Sequence, residues 1–265
     1  MSLIFVALLA AKTVTAPQRP PRCDLTIVED FSGSLDTHSF AEARSTLNAE
    51  LPGLVESLNV QHLEVRSFDV DGWQSRRIVE RELPELQLAF EDEVIDSEAY
   101  AFGNVKEADA EDRNRKHIAQ TAQRESEYRR KLATKLNGVV PLAAPPEHYQ
   151  AAATDILGVF HYIAAVERSH PSYFILITDL SDSHHVKELP KLPTPKANVK
   201  VIVVFVPSTP TEIKNTVGRA MTGSEQFDLR SQQLKAVAPW AIIVPHTQEH
   251  YIDIVGKEAG RRSSR

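Results

Sequence analysis

The chain has 265 residues, 42% of them hydrophobic, which is long enough to bury a full core and too apolar for disorder throughout. Its formal net charge of -6 at pH 7 argues against a broad electrostatic grip on nucleic acid. The single cysteine, Cys23, excludes an internal disulfide, and no Cys/His spacing of the structural zinc kind occurs.

At the N-terminus, Leu3 to Ala11 (LIFVALLAA) is an apolar run of signal-peptide length, too short to cross a bilayer as a helix. No basic residue precedes it, and the candidate cleavage site after Ala16 is followed by Pro17. An export signal, an N-terminal membrane tether, and a helix or strand packed on the domain all remain open, and with them the localisation. The stretch APQRPPR reads as a proline-rich linker, so residues 1–22 stand apart and a folded domain is expected over 23–258, with a basic tail at 259–265.

DLTIVED, rich in β-branched residues, has the pattern of a strand buried on both faces. From Thr37 to Leu58 the apolar residues Phe40, Ala43, Leu47, Leu51, Leu54 and Leu58 recur at threes and fours, predicting a helix that Pro52 kinks or splits. Strands are expected over His62–Val70 and Arg76–Leu83, joined at Asp71-Gly72 as a hairpin on a sheet edge.

Residues 85–150 read as an insertion. They hold a charge-dense helix from about Asn104 to Leu136, which at about 1.5 Å per residue would reach roughly 45–50 Å. Ala108, Ile118, Ala122, Leu132 and Leu136 form a thin apolar stripe, as expected of a solvated helix leaning one edge on the domain; a partner-binding role is the other reading. Gly138, Pro141, Pro145 and Pro146 then break the helix.

Beyond the insertion, a helix opens at Thr154 or Asp155, with Ile156, Val159, Phe160 and Ile163 on its apolar side. YFILITD is a buried strand ending in an acid, and NVKVIVVFVP is another. Helical periodicity runs from Thr211 to Val237 with an interruption around Gly223, and WAIIVP supplies a last strand. Strands alternating with helices predict a doubly wound, Rossmann-like, mostly parallel α/β sheet covered on both faces.

In such a sheet, ligands collect at the carboxyl edge where strand order reverses. Three segments deliver oxygen there: Asp30, Ser32 and Ser34 after the first strand, Thr154 before a helix, and Asp179 at the end of another strand. Carboxylates and hydroxyls are hard ligands suited to Mg²⁺, Mn²⁺ or Ca²⁺. Taken singly, each has an ordinary reading as a turn former, helix cap or strand-end turn.

DFSGS at 30–34, ATD at 153–155 and ITD at 177–179 together resemble a von Willebrand factor A-type (vWA) domain carrying a metal-ion-dependent adhesion site (MIDAS). The resemblance covers about Cys23 to Val255 apart from the insertion. It implies that Ser32, Ser34 and Thr154 ligate a divalent metal directly, that Asp30 and Asp179 ligate it or hold its waters, and that a protein partner's acidic residue completes the coordination. Two positions depart from the family pattern: Leu180 stands where glycine is frequent, and Ala152-Ala153 replaces a glycine-containing lead-in to the threonine.

Two other functions stay open. A metal-assisted hydrolase could use Asp182, His184 or His185 in the loop from Asp179 to His185, although the phosphate-binding glycine loop and the G-x-S-x-G turn are both absent. A scaffold that has lost the metal would bind through the long charged helix.

Overall fold

The structure is a computed structural model, described here for residues 21–68, 76–85, 104–139, 154–181, 192–247 and 254. The N-terminal apolar run, the Asp71-Gly72 turn, the Ala152-Ala153 lead-in, the loop holding Asp182, His184 and His185, and the basic tail lie outside these residues.

Six strands, β1 (Cys23–Asp30), β2 (Val60–Phe68), β3 (Arg76–Glu82), β4 (Ser172–Thr178), β5 (Val199–Phe205) and β6 (Ile242–Pro245), form one sheet in the order β3-β2-β1-β4-β5-β6. All neighbours are parallel except β2 and β3, which pair antiparallel as the expected edge hairpin. Helices α1 (Thr37–Leu58), α2 (Asn104–Leu136), α3 (Ile156–Ala165), α4 (Pro210–Val217) and α5 (Gly223–Val237) flank the sheet, giving a Rossmann-like fold of the vWA type. Strand order reverses between β1 and β4, so the crevice expected of a doubly wound sheet opens where these two strands end.

Alternation along β1 divides the core. Leu25 and Ile27 face α1 and the end of α2, packing with Leu47, Leu51, Leu54 and Leu132. Val28 faces the other way, toward α3 and α5, with Phe160, Ile163, Phe174 and Leu234. Every residue of β1 is buried, the polar Asp24, Thr26, Glu29 and Asp30 included, as expected of a central parallel strand covered on both faces. Glu29 has a specific partner; its Oε1 accepts from Arg44 Nε of α1 at 2.9 Å.

Two expectations need correction. Pro52 does not split α1, which is continuous. Pro52 is exposed, and Asn48, whose carbonyl loses its amide partner, is exposed too, so water can replace the missing bond. Ile118 (69% exposed) and Ala122 do not contribute an apolar stripe to α2; its buried contacts among the described side chains, which do not include that of Ala108, are Tyr128, Leu132 and Leu136, four residues apart, where its last turns meet α1. The interruption expected around Gly223 is present: it spans 218–222, and Gly223 itself is the first residue of α5 behind a Thr222–Glu225 capping box. The break begins at Gly218, whose φ of 81° closes α4.

Candidate metal centre

β1 and β4 run in register with Glu29 opposite Ile177, which brings the next residues, Asp30 and Thr178, side by side at the carboxyl edge. Both are fully buried. Thr178 Oγ1 donates to Asp30 Oδ2 at 2.8 Å, and the Ser32 amide donates to Asp30 Oδ1 at 2.8 Å. Each carboxylate oxygen thus receives one donor from the protein and keeps a lone pair for another.

The chain then turns through Gly33, which is exposed, and returns Ser34 beside Ser32, with the two hydroxyl oxygens 2.8 Å apart. This turn is fastened to the segment after β5. The Thr209 amide donates to Ser34 O at 2.7 Å, the Asp36 amide donates to Pro207 O at 2.9 Å, and Leu35 bridges Ser208. Asp36 then caps α1 by accepting from the Ser39 amide at 2.9 Å.

On the far side of the crevice, Asp179 is fully buried. Its Oδ1 accepts from the Ser181 amide at 2.9 Å and its Oδ2 from Ser208 Oγ at 2.6 Å. Leu180, between them, adopts φ 57°, the left-handed conformation that glycine takes without strain. Its amide donates to Thr178 Oγ1 at 3.0 Å, so the bonds on either side of the leucine hold the strained turn.

Thr154 is 2% exposed and directly precedes α3. Capping falls to Asp155, whose Oδ1 accepts from the Gly158 amide at 2.8 Å, so the ordinary reading of Thr154 as the helix cap does not apply. A Cβ on Gly158 would stand 2.0 Å from Asp155 Oδ2, so a side chain there would oblige the capping carboxylate to turn aside. The segment after α3 reaches the amino end of the sheet, where Arg168 Nη1 lies 3.8 Å from Asp24 Oδ2; the helix start, with Thr154, is therefore on the carboxyl side.

The electrostatics follow from two acids buried on one rim. Burial first, and then the neighbouring Asp179, raise the pKa of Asp30 to about 7, against the opposing pull of its bonds from Ser32 and Thr178. Among the described residues no three of His, Cys, Asp and Glu cluster, so the donors here are hydroxyls and two carboxylates. That set suits a hard dication. Adjacent ligands of an octahedral Mg²⁺ at 2.0–2.1 Å lie about 2.9 Å apart, close to the Ser32–Ser34 spacing.

Asp30, Ser32, Ser34 and Asp179 thus lie around one crevice, linked through Thr178 and Ser208, with Thr154 on the same side of the sheet. Thr178, Ser181, Ser208 and Arg230 join them without having been singled out as site residues. Thr178 lies inside the ITD segment quoted for the resemblance, whereas Ser208 belongs to none of the quoted segments. Arg230, in the middle of α5, carries no signal in the sequence.

No family model matches the chain, and no curated protein matches it. Among solved structures it is similar to proximal thread matrix protein 1 from the mussel byssus, with a TM-score of 0.37 and 11% identity over 92% of this chain and 48% of that one. The chain thus spans about half the length of that neighbour. No helix among the described residues is long and apolar enough to cross a membrane.

Proposed function

We propose that the chain is a divalent-metal-dependent protein-binding domain for adhesion or assembly, preferring Mg²⁺ or Mn²⁺ and engaging a protein partner through one of its acidic residues. The observation that carries this reading is the Ser32–Ser34 hydroxyl pair, 2.8 Å apart beside two buried carboxylates at the switch point of the sheet.

Ser32, Ser34 and Thr154 would be direct ligands. Asp30 and Asp179, each already bonded at both oxygens within the chain, would orient the waters of the ion with their remaining lone pairs. The bound ion supplies a Lewis-acidic position for an anionic oxygen. Because the hydroxyl ligands are neutral, that position keeps its attraction for the partner's carboxylate. Gly33 is exposed and Ser34 half-buried, which leaves the serine turn open to an approaching surface.

A metal titration followed by pull-down tests this. Millimolar Mg²⁺ should raise the melting temperature of the unaltered protein and not that of Ser32→Ala/Ser34→Ala, and the chelator EDTA should release captured partners. An unaltered protein indifferent to Mg²⁺ and Mn²⁺ would sink the reading.

A metal-free scaffold is the second reading, favoured by the exposed middle of α2, where Ile118 is 69% exposed. Its partner would persist in EDTA and be lost when residues 104–137 are removed.

A further inference from the structure

Arg230 brings a positive charge to the rim of the crevice. Its Nη2 donates to Ser181 Oγ at 3.1 Å, and its Nη1 donates to Gln233 Oε1 at 3.0 Å. Ser181 touches Asp179 by two routes: its amide donates to Oδ1 at 2.9 Å, and its hydroxyl lies 3.4 Å from Ser208 Oγ, which donates to Oδ2 at 2.6 Å. The guanidinium is therefore one serine removed from the acid. Burial lowers the pKa of Arg230, opposed first by Asp179 and then by Glu212, but an arginine remains charged at neutral pH. Glu212, in the first turn of α4, is half-buried and more open to solvent screening than Asp179.

The charges around the crevice do not balance a dication. Asp30 and Asp179 supply two negative charges when ionised, and Arg230 returns one positive charge. A loaded site would carry one uncompensated positive charge, which a single incoming carboxylate cancels. Without Arg230 the loaded site would already be neutral and would gain less from the anion.

Building on the metal reading above, we propose that Arg230 is the specificity-determining residue of this centre: its fixed charge weakens the grip on a dication alone and couples metal binding to an arriving carboxylate. Metal and partner then bind as a pair, each strengthening the other by the same factor. Ser181 sets the geometry of this coupling by holding Arg230 and Asp179 together.

The test is calorimetric titration of the full chain with MgCl₂, with and without acetate as the carboxylate probe, in unaltered, Arg230→Gln and Arg230→Lys proteins whose fold is checked by circular dichroism. Arg230→Gln removes the charge while keeping a polar side chain, and Arg230→Lys, which keeps the charge but not the guanidinium fork, controls for the changed bond to Ser181. Arg230→Gln should bind Mg²⁺ alone roughly five- to tenfold more tightly and lose most of the gain from acetate, while Arg230→Lys behaves like the unaltered protein. A folded Arg230→Gln protein that binds Mg²⁺ no more tightly than the unaltered one overturns it while leaving the metal reading intact. Absence of Mg²⁺ binding in all three proteins overturns both.

Discussion

Thr178 Oγ1 donates a hydrogen bond to Asp30 Oδ2 at 2.8 Å across 148 positions of sequence, clasping the ends of the two strands at which the order of the sheet reverses. The same hydroxyl accepts from the Leu180 amide, so one threonine orients the first acid and supports the turn that carries the second. Thr178→Val keeps the shape and removes both bonds. It should lower stability by about 1–3 kcal/mol in urea unfolding, because Asp30 Oδ2 and the Leu180 amide lose a partner, and it should weaken any Mg²⁺-induced rise in melting temperature.

The elevated pKa of Asp30 gives a pH dependence of definite sign. The folded value of about 7 lies above the usual aspartate value of about 4, so between these limits the native state holds a proton that the unfolded chain has released. The contribution of this group to stability is full below about pH 4, declines as pH rises, and is lost above about pH 7. Asp30→Asn should flatten this decline and raise the metal-free melting temperature at pH 7.5. It should also abolish the response to Mg²⁺, which in the unaltered protein amounts to about 5–8 °C at a hundredfold excess over Kd. Scanning calorimetry at several pH values with EDTA, then with Mg²⁺, checks both parts.

Gly158 bears on the site through its contact with Asp155. Gly158→Ala pushes a methyl group against the capping carboxylate; weakening of the cap, worth up to about 1–2 kcal/mol, opposes a helix-propensity gain of about 1 kcal/mol, so the net cost should stay below about 1 kcal/mol. Asp155→Asn keeps a capping oxygen and should cost little. Thermal melts of the pair separate the steric effect from the cap itself.

The Glu29–Arg44 pair is buried, with side-chain exposures of 2% and 11%. Removing the cation strands the carboxylate of a central strand, so Arg44→Met should destabilise the fold by about 3–5 kcal/mol in denaturant. Replacing both members with apolar residues should recover much of the loss.

In α2, Leu132→Ala should cost about 2–5 kcal/mol because Leu132 is 2% exposed and packs in the core. Ile118→Ser should change stability by less than about 0.5 kcal/mol. Equal losses at both positions would contradict the observed anchoring of α2 through its last turns.

The parallel strands were legible because a parallel sheet demands apolar runs that stand out between charged helices, and the antiparallel edge pair through the Asp71-Gly72 turn signal between two β-prone stretches. The extent of α2 was legible too, but not its buried side. Tyr128 fixes that side together with Leu132 and Leu136, and a stripe drawn from the apolar residues alone passed over it to include Ile118 and Ala122. At the crevice, the serines and acids carried a spacing that could be recognised. Ser208 and Arg230 could not be foreseen, since their roles depend on β5 lying beside β4 and on which way α5 faces, relations that no local pattern encodes.

The main-chain bonds joining residues 34–36 to 207–209 make the serine turn and the cap of α4 a single mechanical part. Thr209 donates its amide to Ser34 and accepts the Glu212 amide with its hydroxyl, so a displacement of the turn by a docking surface reaches the first coil of that helix without an intermediary. Contact at the mouth of the crevice would thereby reach the flank of the sheet.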